Sequence, residues 1–282
     1  VKTELFLKIK LMIMKTLFYF LILSLGLFSC SNNQQPNDPI PVHETFTIPS
    51  KVVNEKRTIN VWLPENYKTT TDSLDVLYML DGGIKEDFPH IANTLAELIQ
   101  AKKIKPIILV GIENTERRRD LTPPTNVATD KEIAPVVGHS AIFRQFIQEE
   151  LIPEVNTKYR TTAKKGIIGE SVAGLFIAET FLTSPELFDF YIAFDPSLWW
   201  NDTQLLKEAP NHLKSFPTTA KTFWFAGSSA EDIFDNTNTL AEVLKSNALP
   251  NLKWNYSPEK KEEHHTIFRA TNEKALVWTL NQ

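Results

Sequence analysis

Ser171 stands at the centre of "GIIGESVAGLF" (Gly166 to Phe176), where one apolar run passes through a serine into another. A serine hydroxyl attacks a carbonyl only when a base takes its proton and an acid orients that base. N–H donors must also receive the charge that builds on the carbonyl oxygen. The tight strand–turn–helix junction that exposes such a serine brings backbone into contact around it, so its flanks must be small. Gly169 lies two residues before Ser171, Ala173 two after and Gly174 three after. The usual pattern has glycine two after the serine, and alanine is the smallest departure from it.

In α/β hydrolases the nucleophile, acid and histidine follow one another in that order along the chain. Of six histidines, His212, His264 and His265 lie beyond Ser171. His212 sits in "APNHLKS", a polar segment suited to the surface. His264 and His265 come after the last predicted strand and before the last predicted helix, where this fold places its base. The acid is expected after the strand before the last, in "FWFAGSSAED", which offers Glu231 and Asp232. Glu231 is preferred with Asp232 as the alternative, and both also suit the first turn of a following helix. The oxyanion donors are expected to be the backbone N–H of Val172 and that of Gly82 or Gly83 in "MLDGG" (Met79 to Gly83). This chemistry needs no cofactor. Cys30 is the single cysteine, so the chain has no internal disulfide and no cysteine in a catalytic or zinc-binding role.

The elements that must position these groups alternate. "TINVWLP", "DVLYMLD", "KPIILVGI", "KGIIGE", "DFYIAFD", "KTFWFAG" and "LKWNYSP" read as strands. "PHIANTLAELIQ", "SAIFRQFIQEELIPEV", the run after Ser171, "TNTLAEVLKS" and "RATNEKALVWTL" read as helices. That alternation predicts an α/β fold: one domain over residues 44–282, its mostly parallel sheet covered by helices on both faces. The stretch Glu113 to His139, charged and proline-bearing, is the one long loop and is expected to be functional or mobile.

The first residues read differently. Four lysines precede "LFYFLILSLGLF" (Leu17 to Phe28), which ends at Ser29-Cys30. Twelve apolar residues fall short of the ~20 that a membrane span needs, so residues 1–29 are expected to be a signal peptide. "LFSC" resembles a bacterial lipobox, which predicts acylation of Cys30 and contact with a lipid bilayer in the cell envelope. The polar "SNNQQPNDPIPV" that follows is a tether, residues 30–43. Residues 1–29 hold four Lys and one Glu, so the remainder carries a formal charge of −7 against −4 for the whole chain. An acidic body of this kind argues against nucleic acid as partner.

Several stretches together resemble the bacterial esterase D / enterochelin esterase family of α/β hydrolases. They are "RTINVWLPENY", "DVLYMLDGG", "VGIENTERRRDLTPP", "FIQEELIPEVNTKYRT", "GESVAGLF", "DPSLWW" and "EHHTIF", in the same order from about Thr45 onward. The resemblance implies a serine ester hydrolase with Ser171 as nucleophile. It also selects His264 over His265, because Thr266 occupies the small polar position two after the family's histidine. Small-molecule substrates of the family include catecholate siderophore lactones and acyl esters of plant polysaccharide. Glu170 stands where the family has histidine, and His265 where it has glycine. Glu170, Arg119 and the pair Trp199 and Trp200 are candidates around the pocket, although Arg119–Asp120 equally suits a structural pair and the two tryptophans suit the core at least as well as an aromatic wall. An acyltransferase on the same site, or a binding lipoprotein that keeps the fold without catalysis, are the alternative functions.

Overall fold

The computed structural model describes residues 38–282 except Pro135 and Ala248. The expected signal peptide, Cys30 and most of the tether lie outside the described residues. Among the described residues eight strands form one sheet; numbered in chain order, they lie across it as 1-2-4-3-5-6-7-8. The strands are β1 Glu44–Ser50, β2 Glu55–Trp62, β3 Leu74–Met79, β4 Ile107–Ile112, β5 Thr161–Glu170, β6 Phe190–Phe194, β7 Lys221–Gly227 and β8 Leu252–Pro258. β1 pairs antiparallel with β2 and β2 antiparallel with β4, whereas β4, β3, β5, β6, β7 and β8 pair in parallel. The sheet is therefore mixed and mostly parallel, as the alternation of elements predicts. The edge strand β1 is an addition, because "ETFTIPS" is half exposed and carries only a weak apolar signal.

Burial explains why β4 and β6 read as continuous apolar runs. Every residue of "IILVGI" and "FYIAF" is buried, as both faces of these strands are covered by helices. One face holds α1, Phe88–Gln100, whose Phe88, Ile91, Leu95 and Leu98 point into a core with Trp224, Phe268 and Leu276. The C-terminal helix, Ile267–Leu280, packs on the same side. The other face holds the helix leaving Ser171, Val172–Thr183, in which every residue from Val172 to Leu182 is buried. At ~1.5–3 kcal/mol for each fully buried large apolar side chain, this helix is among the most firmly held parts of the molecule. The helical stretch read from Ser140 to Val155 is interrupted, with a π-helical turn, Ile147–Leu151, joining Ser140–Phe146 to Ile152–Lys158.

The stretch 113–139 is pinned rather than free. It contains the short helices Arg117–Leu121 and Ala128–Glu132. Buried Trp200 donates its indole N–H to the carbonyl of Pro123 at 2.9 Å. Asp130 Oδ2 accepts from Thr125 Oγ1 at 2.6 Å and from the Asn201 N–H at 2.9 Å. Thr122 Oγ1 receives the N–H of Gly138 at 2.9 Å. Arg57, fully buried on β2, bonds Asp120 at 2.5 Å and Glu55 at 2.7 Å, which fastens the start of this stretch to the sheet.

Candidate active site

Ser171 joins β5 to the helix Val172–Thr183 with φ 61° and ψ −118°. These are the angles of the first central residue of a type II′ turn, a region normally given to glycine. Three backbone bonds impose them. The Ser171 N–H donates to the Phe194 carbonyl at 2.9 Å, and its own carbonyl accepts from Leu175 at 2.9 Å and from Ser197 at 3.1 Å. The small flanks are contact requirements. A Cβ on Gly169 would lie 2.7 Å from that of Ala173, and one on Gly174 would lie 2.8 Å from the Phe194 carbonyl oxygen and 3.0 Å from Pro196 Cα. The alanine at 173 is thus accommodated by the glycine at 169. Gly174 lets the helix approach the end of β6.

The histidine facing Ser171 is His264, in the loop between β8 and the C-terminal helix. Its Nε2 is 3.2 Å from Ser171 Oγ, and its Nδ1 is 2.9 Å from Asp195 Oδ2. With a carboxylate on Nδ1, that nitrogen carries the proton, which leaves Nε2 to accept from the serine hydroxyl. The hydrogen bond to Asp195 holds the His264 pKa above its ordinary 6.5 against the opposing effect of burial. His265 is exposed and turns to Glu263, 3.4 Å away. His212 lies on the helix Trp200–Leu213, 3.9 Å from Glu208.

The carboxylate on His264 is Asp195, which corrects the expectation of Glu231 or Asp232. Both of those are exposed in the first turn of the helix Glu231–Asn247, where acidic side chains complement the helix dipole. The physical reason lies in the strand order. β6 is the immediate neighbour of β5, so its carboxyl end is one strand spacing, ~4.8 Å, from the serine's strand, whereas β7 is two away. Asp195 closes β6 with φ 42°, is 0% exposed, and fixes its second oxygen on the Ser228 N–H at 2.6 Å. Asp195 accordingly holds both its bonds without rotating. It was legible as the carboxylate that ends "DFYIAFD", one residue before proline.

Of the expected oxyanion donors, Val172 opens a helix, where the first N–H groups have no intrahelical partner. Gly82 and Gly83 are not free. The Gly82 N–H donates to the Ile112 carbonyl at 2.9 Å, and the Gly83 N–H to Glu86 Oε2 at 2.6 Å. Gly82 lies so close to β4 that a Cβ there would be 2.3 Å from Gly111 Cα. Its glycine is explained by that approach alone.

Arg119 and the two tryptophans take the structural alternative of each pair of readings. Arg119 bonds Asp120 at 2.7 Å and Glu55 at 2.6 Å and is a structural link. Trp200 is core, 2% exposed, and holds Pro123, while Trp199 is partly buried against the same core and stands 6.0 Å from Trp200 between ring centroids. Neither indole forms an exposed wall. Arg117 is the arginine that reaches the site: it grips Asp81 through Nε at 2.6 Å and Nη2 at 2.7 Å, and touches the Glu170 carbonyl at 3.2 Å. Asn114 bridges Asp81 and Glu86 at 2.6 and 2.7 Å. Glu170, the last residue of β5, is pushed up to about 8 by burial, with Asp87, Asp195 and Asp81 adding to the rise and His264 opposing it.

The comparisons agree with this architecture. A family model described as "Putative esterase" matches residues 50–278. The chain is 30% identical over 190 residues to the ferri-bacillibactin esterase of Bacillus subtilis (strain 168), covering 58% of this chain and 64% of that protein. It is 38% identical over 110 residues to the siderophore triacetylfusarinine C esterase of Aspergillus fumigatus, covering 37% of this chain and 34% of that protein. The alignment thus spans less than two thirds of the length of either relative. Among solved structures, an IroE-like serine hydrolase from Shewanella oneidensis superposes with a TM-score of 0.78 at 25% identity, over 84% of this chain and 79% of that one.

Proposed function

We propose that this chain, which belongs to the esterase family whose model it matches, hydrolyses a carboxylic ester through an acyl-enzyme on Ser171. The observation that carries the reading is the unbroken series of hydrogen bonds from Ser171 Oγ through His264 to Asp195. In the first half-reaction Ser171 Oγ attacks the ester carbonyl while His264 Nε2 takes its proton. Asp195 stabilises the imidazolium without taking the second proton. The oxyanion of the tetrahedral intermediate is received by the Val172 N–H. The Gly83 N–H is the second donor, once it exchanges the Glu86 carboxylate oxygen for the substrate's. Collapse breaks the bond to the alkoxy oxygen, which leaves with the proton from Nε2. Water then attacks the acyl-enzyme with His264 again as base, releasing the acid and restoring the Ser171 hydroxyl. The His264 side chain is 46% exposed, so water reaches the acyl-enzyme, and that favours hydrolysis over transfer to another alcohol.

The substrate class we assign is a siderophore ester, on the strength of the relatives' names. An aryl fluorophosphonate, which reacts only with an activated serine, is expected to modify the protein once, at Ser171 by peptide mass spectrometry, and to abolish ester turnover in proportion. Modification spread over several serines, or none, would remove the esterase reading. A panel of siderophore and carbohydrate acyl esters then decides the substrate: a sugar ester turned over faster than every siderophore replaces the assignment.

The proposal extends to lipid attachment at Cys30, supported by the apolar run and "LFSC" before it. Cells expressing the full chain and fed tritiated palmitate should yield a labelled protein, and Cys30→Ala should be unlabelled. Equal label in both sinks the lipid anchor.

A further inference from the structure

The carboxyl of Glu170 is not used by the mechanism, yet it belongs to the residue immediately before the nucleophile. Glu170 Oε1 is buried and has no hydrogen-bond partner in the protein. The groups around it come from five elements. Asp81 follows β3, Asp87 precedes α1, Asp195 ends β6, His264 lies before the C-terminal helix, and Arg117 is on its own short helix. Asp81, Asp87 and Asp195 outnumber Arg117 and His264 among the groups that act on it, with Arg118 beside Arg117 on the same short helix. Arg117 spends its Nε and Nη2 on Asp81, hydrogen-bonds Glu170 only at its backbone carbonyl, and acts on the Glu170 carboxyl through space. Arg269, on the C-terminal helix, is held by Asp38 at 2.7 Å and by Asp87 at 3.3 Å. His264 must stay neutral at Nε2 to act as a base. A half-buried carboxyl beside a nucleophile, with one oxygen buried and unpartnered and three aspartates around it, is completed by a positive charge brought in with the substrate.

We infer that Glu170 is a specificity-determining residue: it makes the site select esters carrying a positive charge within a few bonds of the scissile carbonyl and discriminate against anionic ones. The inference rests on Ser171 being the nucleophile of an esterase, and it narrows the substrate class to ammonium-bearing esters. Its action is electrostatic and needs no direct contact. At an effective dielectric of ~20, a unit charge ~8–12 Å away changes an affinity by ~10-fold or more. The preference grows with pH, because burial keeps the carboxyl protonated up to about 8, and only its ionised form attracts a cation.

The test uses three p-nitrophenyl esters with one three-methylene spacer: 4-(trimethylammonio)butanoate, its neutral isostere 5,5-dimethylhexanoate, and the smaller, anionic monoester of glutarate. Their kcat/KM values are compared between the wild type and Glu170→Gln at pH 7 and pH 9. Ratios between esters within one preparation cancel both folding yield and, between variants, the intrinsic reactivity of each ester. The expected result is a cation-to-neutral ratio that falls ~10-fold in Glu170→Gln at pH 9 and less at pH 7, with the anion-to-neutral ratio rising. Ratios equal within twofold in the two proteins overturn the role of Glu170. In that case Ser171-dependent hydrolysis of the neutral ester still leaves the esterase reading standing. Failure of the wild type on all three esters removes that reading and the inference together.

Discussion

Asp195→Asn is expected to lower kcat by ~10³–10⁴-fold, the scale on which loss of the orienting carboxylate acts in serine hydrolases of this type. Asparagine fits the same buried space. It offers His264 Nδ1 either an amide oxygen without charge or an N–H that forces the wrong tautomer, and in both cases the imidazolium of the transition state loses its counter-charge. Glu231→Gln and Asp232→Asn should stay within ~3-fold of wild type, because both side chains are exposed on the helix Glu231–Asn247. Asp232 acts on His264 only through space and less than Asp195 and Glu170 do. The pH profile gives an independent readout. The Asp195 hydrogen bond raises the His264 pKa above 6.5, and the base works only when deprotonated. Wild-type kcat/KM therefore climbs as pH rises through a midpoint above 6.5, and Asp195→Asn should move that midpoint downward. A full loss of rate in Glu231→Gln with Asp195→Asn active would reverse the assignment.

This correction marks how far the sequence carries. Strands buried on both faces announce themselves, so "IILVGI" and "FYIAF" were readable, as was the strand–serine–helix junction with its small flanks. The order nucleophile, acid, histidine was readable too, and Asp195 satisfies it as well as Glu231 does. What chain order does not contain is lateral distance in the sheet. β6 borders β5, and only the pairing pattern reveals that its end is nearer to Ser171 than the end of β7 is. The same blindness applies to the arginines of "ERRRD". Two arginines of one short helix point in different directions: Arg117 goes to Asp81 beside the site and Arg119 to Glu55 on β2. The glycines of "MLDGG" look alike in sequence, yet one is there for contact with Gly111 and the other has its N–H under a carboxylate. Type and spacing identified the candidates, and partners decided among them.

Ser171→Ala and Ser171→Gly should both lose at least ~10⁴ of kcat/KM, since the acyl-enzyme cannot form and only oxyanion and binding contributions remain. The two variants should differ in stability, and the sign of the difference tests the geometry of the junction. At φ 61° and ψ −118° a Cβ is strained, at a cost of ~1–3 kcal/mol. Alanine keeps that Cβ, while glycine removes it and gives back ~0.4–1 kcal/mol through the greater freedom of the unfolded chain. Ser171→Gly should therefore be more stable than Ser171→Ala by ~0.5–2 kcal/mol. For a domain of this size that is a higher Tm by roughly 1–8 °C, measurable by calorimetry at one scan rate. Equal or lower stability of the glycine variant would mean that the junction relaxes around Ser171. Residual turnover by Ser171→Ala close to the wild-type rate would mean that another residue attacks the ester. The backbone bonds from Phe194, Leu175 and Ser197 hold the strained conformation in place, so the energy stored at Ser171 is supplied by the packing of β6 and the helix Val172–Thr183. A site fixed in this way keeps its hydroxyl aimed at His264 before any substrate arrives, and the stability regained by the glycine variant is the measure of what that costs the fold.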